Sequence, residues 1–297
     1  MTLRTLACAA VLAFALTQAT TAAAFDRAAM LVSSAWLADH LKDANLVVLH
    51  IGAPEGYAQH IPGARFVRAA DIALSTEAAT LELPPPEDLR ARLEAIGISD
   101  DSRVVVYYGQ DTVPAATRVI YTLQAAGFGA QASLLDGGMA AWQHDGHAVT
   151  ADVPAPRSGH LAALKMQPAI VDAEAVRQHA GKAGYAVIDA RAPAFYDGAQ
   201  AGGSKDRAHK LGHIPGAVNV PYSEVTDAGL SLKPADQLTA IFAKAGVKRG
   251  DKLMVYCHIG QQATAVIFAA RSLGYDASLY DGSFEDWSRR DLPVETK

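Results

Sequence analysis

Short, unbroken apolar runs alternate with segments of helical period along most of the chain. In the first half the runs are LVVLHI (46–51), RVVVYY (103–108) and ASLLD (132–136); in the second they are YAVIDA (185–190), KLMVYC (252–257) and ASLYD (277–281). They are rich in valine and apolar at successive rather than alternate positions. That is the pattern of parallel strands covered on both faces. Helical segments are expected at Leu89–Ile96, Ala116–Ala126, Leu238–Ala245 and Ala263–Leu273, with Gly97, Gly127, Gly246 and Gly274 as C-terminal stops. Strand–helix alternation predicts an α/β fold, a parallel sheet flanked by helices, formed twice.

The two halves are copies of one another. HIPGA stands at 60–64 and again at 213–217. Segment 32–52 matches 171–191 at an offset of 139, and 89–108 matches 238–257 at 149. Segment 115–128 matches 262–275 at 147, and 134–142 matches 279–287 at 145. The order is conserved and the offset drifts only at loops, so the chain is an internal duplication. The join, ADVPAPRSGHLAAL (151–164), has two prolines, a glycine and little periodicity, and reads as a linker. The expected domains are therefore 25–150 and 165–297.

Composition narrows the class. Half of the 297 residues are hydrophobic and 19% are charged, as in a soluble globular protein. A net charge of −5 with no basic block argues against a nucleic-acid partner. Residues 1–24 read as a secretory leader: Arg4 is the positive n-region, Leu6 to Leu16 the apolar core, and Ala22–Ala24 the small-residue cleavage site. An uncleaved anchor is the alternative. Cys8 precedes most of the apolar stretch, and Thr5 stands where a lipoprotein signal has leucine, so a lipid anchor is not expected. Cleavage implies export, to the periplasm, with no membrane attachment afterwards. It changes the net charge from −5 to −6 and leaves one cysteine, Cys257. Without a partner for a disulfide, Cys257 is either a buried small hydrophobe or a reactive thiol.

Its setting favours the second reading. An apolar strand ends at Tyr256, the loop His258-Ile259-Gly260-Gln261-Gln262 follows, and a helix begins near Ala263. A loop turning from strand to helix directs backbone amides inward, and the first helical turn adds unpaired N–H groups. A thiolate held there should have a pKa below the free value of about 8.5. Gly260 lets the backbone approach a ligand, and the loop contains no acid to repel an anion. The duplication supplies a control: Cys257 aligns with Tyr108, Asp189 with His50, and Arg191 with Gly52. The first half lacks the cysteine and the arginine, and its loop is two residues longer.

The motifs VIDAR (187–191), GHIPGAVNVP (212–221), VYCHIGQQA (255–263) and LYDGSFEDW (279–287), in this order, resemble the tandem-rhodanese sulfurtransferases over nearly the whole mature chain. The resemblance implies two rhodanese-like domains, each with a parallel five-stranded sheet, the first inactive and the second catalytic. It implies a persulfide on Cys257, with Arg191 holding the anionic end of the substrate and no metal or organic cofactor. The donor would be thiosulfate or a similar sulfane-sulfur compound, and the acceptor cyanide or a thiol. Thiosulfate-using members carry basic residues after the cysteine and mercaptopyruvate-using members carry small ones. His258, Gln261 and Gln262 match neither, and a protonated His258 would supply some of the missing charge.

Other readings are weaker. A phosphatase of related fold needs an arginine where Ala263 stands. A non-enzymatic persulfide carrier or binding module would share the cysteine and differ only in turnover. Asp189 is expected to support the site by pairing with Arg191. His213 belongs to the repeated turn, so its spacing from His209 is structural rather than metal-binding. Asp136 and Asp281 precede glycine and read as turn residues. Trp142 and Trp287 recur in both copies and read as packing. The stretch 196–212, present only in the second half, reads as an exposed loop despite Lys205, Arg207 and Lys210.

Overall fold

The computed structural model describes residues 26–109 and 113–297. Residues 1–25, which include the stretch expected to be a leader, and residues 110–112 of the first-half loop lie outside the described residues. In chain order the first half contains α1 (Arg27–Met30), β1 (Leu31–Val32), α2 (Ser34–His40), β2 (Leu46–Ile51), β3 (Arg65–Val67), α3 (Pro86–Ala95), β4 (Arg103–Tyr108), α4 (Val113–Leu123), β5 (Ala132–Leu135) and α5 (Gly138–His144). The second contains β6 (Ile170–Val171), α6 (Ala173–His179), β7 (Tyr185–Asp189), α7 (Pro193–Tyr196), β8 (Gly203–Ser204), β9 (Arg207–Ala208), β10 (Val218–Asn219), α8 (Ala235–Lys244), β11 (Lys252–Tyr256), α9 (Gln262–Ser272), β12 (Ala277–Tyr280) and α10 (Ser283–Arg289).

Each half forms a five-stranded sheet in the same order, β1-β5-β4-β2-β3 and β6-β12-β11-β7-β10. The described pairings within both sheets are parallel. The six strands read from the sequence are the three central strands of each sheet. The flanking strands are two or three residues long, too short to show a period. Helices α3 and α8 start three residues earlier than expected. Pro85 and Pro234 precede their first turns, which begin with Pro86-Glu87-Asp88 and Ala235-Asp236. Proline and acidic residues suit that position because the first N–H groups have no helical acceptor. The four stop glycines all have positive φ, from +83° to +100°.

Among the described residues, three apolar clusters cover the sheets. One outer face packs on Leu37 and Trp142, the other on Phe284 and Trp287. The third cluster is shared: it joins the inner faces of both sheets through α4 and α9. Val104, Val105 and Val106 are wholly buried, and each such valine stabilises the fold by about 1.5–3 kcal/mol. The segment 151–164 contains no helix or strand and runs along the first half. Leu161 is buried there, and the Gly159 N–H donates to Glu94 O at 2.7 Å. The repeated turn is structural in both copies. His60 stacks on Tyr57 and His213 on Tyr196, and each Nδ1 lies 2.8 Å from that tyrosine's carbonyl.

Candidate active site

Tyr256 of β11 pairs with Asp189 of β7, so the chain leaving each strand emerges beside the other. Cys257 follows β11, and Ala190-Arg191 follow β7. Between Tyr256 and α9 the loop has most of its carbonyls held by donors. The N–H groups of Phe284 and Glu285 donate to the carbonyls of Cys257 and His258, each at 3.0 Å. Arg118 Nη1 donates to Gly260 O at 3.3 Å, and Thr264 Oγ1 to Gln261 O at 2.7 Å. A trans peptide sends its N–H opposite to its C=O. The N–H groups of Ile259, Gly260, Gln262 and Ala263 act on the Cys257 sulfur; those of Ile259 and Gln262 belong to the peptides whose carbonyls, His258 O and Gln261 O, are held in this way. The Cys257 N–H itself donates to Ser283 Oγ at 3.2 Å.

The amide cradle is present, but two expectations about the thiol are corrected. Its side chain is fully buried, within the shared apolar cluster. Burial also pushes the Cys257 thiol up rather than down, with the four amides opposing the rise. Removing a thiolate from water in hydrocarbon surroundings outweighs four partial charges. The rim of the site, His258, Ile259, Gln261 and Gln262, is partly exposed.

Arg191 is also fully buried. Its Nε and Nη2 engage both carboxylate oxygens of Asp189 at 2.6–3.1 Å, and Nη2 also donates to Gly212 O at 2.7 Å. The guanidinium lies 3.9 Å from the centre of the Phe284 ring. Nη1 is buried without a partner. Arg191 and Cys257 interact electrostatically, and the Nη1 edge of the guanidinium is the one left without a protein partner.

His258 lies with His209, a residue sequence reasoning set aside. The two Nδ1 atoms are 3.3 Å apart, so one ring donates and the other accepts. Burial, then Arg191 and His209, lower the His258 pKa to about 4. His209 is lowered by burial and by Arg191, against Glu285. Both rings are therefore neutral at neutral pH, and His258 does not supply the positive charge expected of it. His209 arrives on β8–β9, a two-stranded antiparallel ribbon within the stretch expected to be an exposed loop. Arg207 on this ribbon donates to Thr80 Oγ1 at 2.6 Å, and Lys210 pairs with Asp291 at 2.6 Å. The available signal was that the stretch has no counterpart in the first half.

The aspartates read as turn residues do more than turn. The Leu83 N–H donates to Asp281 Oδ2 at 2.7 Å, and the Leu232 N–H to Asp136 Oδ1 at 3.0 Å. Each crosses to the other half at an equivalent position. In the first half, the place of Asp189 is taken by His50, a buried ring among Tyr57, Phe66 and Tyr107. Burial, then His60, lower its pKa to about 4. A cavity of about 780 Å³ lies elsewhere, at the amino ends of the second sheet's strands, lined by Lys252, Gln124 and Arg271 among others and by no residue of the Cys257 loop.

Known proteins share this arrangement. The family model for the rhodanese-like domain matches residues 33–145 and 172–290. The chain is 31% identical over 277 residues to the 3-mercaptopyruvate sulfurtransferase of Escherichia coli K12, covering 89% of this chain and 97% of that protein. It is 30% identical over 285 residues to the thiosulfate sulfurtransferase of Rattus norvegicus, covering 90% and 94%. The crystal structure of SseA from Escherichia coli, described as a 3-mercaptopyruvate sulfotransferase, superposes with a TM-score of 0.74 at 29% identity, covering 85% of this chain and 98% of that one. Two domains of one fold, with a cysteine on one amide-lined loop, define a tandem sulfurtransferase. The chain belongs to the rhodanese-like domain family, as a two-domain sulfurtransferase enzyme.

Proposed function

We propose that Cys257 carries a sulfane sulfur from thiosulfate to a thiophilic acceptor such as cyanide or a thiol. The Cys257 thiol first loses its proton to bulk water. The thiolate attacks the outer sulfur of thiosulfate, a bond forms to the cysteine sulfur, and the bond to the sulfite sulfur breaks. Sulfite leaves with the electron pair, and the free Nη1 edge of Arg191 meets its charge. The acceptor then attacks the outer persulfide sulfur and Cys257 leaves as thiolate. This is nucleophilic catalysis through a covalent intermediate. The observation that carries the reading is the set of four amide N–H groups acting on the lone sulfur, with Arg191 beside it.

One observation favours 3-mercaptopyruvate as the donor instead. His258 is neutral, and the Arg191 charge is matched by Asp189, so the site offers little net positive charge to a dianion. The leader-like residues 1–24 support action in an exported compartment, the periplasm.

Intact mass after mixing with each donor tests the chemistry. Thiosulfate should add one sulfur atom, which cyanide removes, and Cys257→Ser should gain none. A gain with mercaptopyruvate alone would transfer the activity to that donor. A gain without turnover in the presence of cyanide would make the protein a carrier.

A further inference from the structure

We propose that Arg118, in the half without the cysteine, is a positioning residue for sulfur transfer: it fixes the Cys257 loop in the conformation that turns its amides toward the sulfur. The inference rests on the reading of Cys257 as the sulfur carrier.

Arg118 lies on α4 and is 1% exposed. Its Nη1 donates to Gly260 O at 3.3 Å and to Asp281 Oδ1 at 2.5 Å, and its Nη2 donates to Leu81 O. The loop carbonyls of Cys257, His258 and Gln261 are held by Phe284, Glu285 and Thr264, all of the second half. The hold on Gly260 comes from the first. Gly260 stands at φ +77°, and a Cβ there would meet Asp281 O at 2.8 Å, Asp281 Oδ1 at 2.9 Å and Arg118 Nη1 at 3.0 Å. The buried ion pair therefore closes directly on this glycine. Holding its carbonyl sets the peptide plane between the Gly260 and Gln262 amides, both of which act on the sulfur.

The duplication separates this role from simple domain docking. The aspartate-to-backbone bond across the interface exists twice, as Asp281 with Leu83 and Asp136 with Leu232. The arginine exists once: the position equivalent to Arg118 is Ala265. Docking is served by the duplicated contact. The unduplicated guanidinium reaches the loop that carries Cys257. Among the described residues, the other charged or titratable groups around that thiol include Arg191 paired with Asp189, the Tyr256 phenol beside Arg191, the neutral His258 and His209, and Glu285, which Arg207 pairs.

The test compares Arg118→Lys with Gln124→Leu. Gln124 accepts from Arg271 Nη1 at 2.6 Å across the same interface, remote from the loop. Lysine keeps a charge for Asp281 but lacks the planar fork that serves three acceptors. Arg118→Lys should lower kcat about tenfold or more, with a smaller change in donor KM. The pH at which iodoacetamide alkylates Cys257 at half its maximal rate should rise. Gln124→Leu should melt earlier while keeping kcat and the alkylation profile. If Arg118→Lys does not fold, the double variant Arg118→Met/Asp281→Leu removes both charges and should show the same alkylation shift. Wild-type kcat and profile in Arg118→Lys, or in the double variant where that one is used, would overturn the proposal; so would an equal shift in Gln124→Leu. Alkylation needs no donor, so it reads Arg118 whichever donor is used. Turnover retained by Cys257→Ser would instead remove the reading of Cys257.

Discussion

Thr117 of α4 and Thr264 of α9 meet hydroxyl to hydroxyl at 2.9 Å, in a buried contact between equivalent positions of the two halves. A contact of equivalent residues is what a two-fold relation between the copies produces. The Thr264 hydroxyl also donates to Gln261 O at 2.7 Å, which links this contact to the cysteine loop.

Thr117→Val removes one partner of the buried pair without touching the loop. We expect a loss of about 1–2 kcal/mol in denaturant unfolding with kcat unchanged. Thr264→Val frees the Gln261 carbonyl as well, so it should lose both stability and turnover. Equal kcat in the two variants would contradict the link.

Arg191 and Asp189 form a buried bidentate pair. Arg191→Met leaves the carboxylate without its charge partner, and we expect about 3–5 kcal/mol of destabilisation. Arg191→Lys should recover part of this stability but not the donor KM, since lysine cannot occupy both carboxylate oxygens and still present a free edge. Urea melts and donor titrations measure the two effects separately.

His50 is buried with both ring nitrogens unpartnered, and its pKa is lowered to about 4. Below about pH 6.5 the unfolded chain takes up a proton that the folded chain refuses. Stability therefore falls as the pH drops through the window between 6.5 and about 4, by up to about 3 kcal/mol. His50→Leu should flatten this acid limb in melts at pH 7 and pH 5. An unchanged pH 7-to-5 difference would show that other groups dominate it.

Burial pushes the Cys257 thiol up, so the neutral form is favoured at neutral pH and the thiolate fraction grows as the pH rises. The alkylation rate should still be climbing above about pH 8.5, the ordinary thiol value. A plateau reached below pH 7 would show that the amides prevail over burial.

Gly260→Ala places a Cβ against Asp281 and Arg118 in a left-handed conformation. The loop must shift, and kcat should fall by about tenfold or more. Gly274 has a similar φ of +83° with nothing within 4 Å of a Cβ. Gly274→Ala should lose only about 1–2 kcal/mol of stability, with kcat retained.

The central strands were legible because valine-rich runs such as RVVVYY carry their signal locally. Strands β1, β3, β6 and β10 were not, because two or three residues hold no period and are strands only through their neighbours. Cys257 and Arg191 stood out because the duplication exposed Tyr108 and Gly52 at their counterparts. The same comparison shows Ala265 opposite Arg118, yet nothing local marks a helical arginine as a partner of a loop in the other half. Asp281 read as a turn residue because the Asp-Gly pair is local and its bond to Leu83 is not.

The amino-acid sequence by itself determined a duplicated α/β chain with one thiol at the end of a central strand and an amide-rich turn into a helix. These are properties of period, repeat and spacing. Only the tertiary structure decided that the thiol is buried and favours its proton, that His258 and His209 are neutral partners, and that the half without Cys257 reaches the loop through Arg118. Proton affinity depends on how much water and charge surround a group, and those surroundings come from residues far apart in the chain.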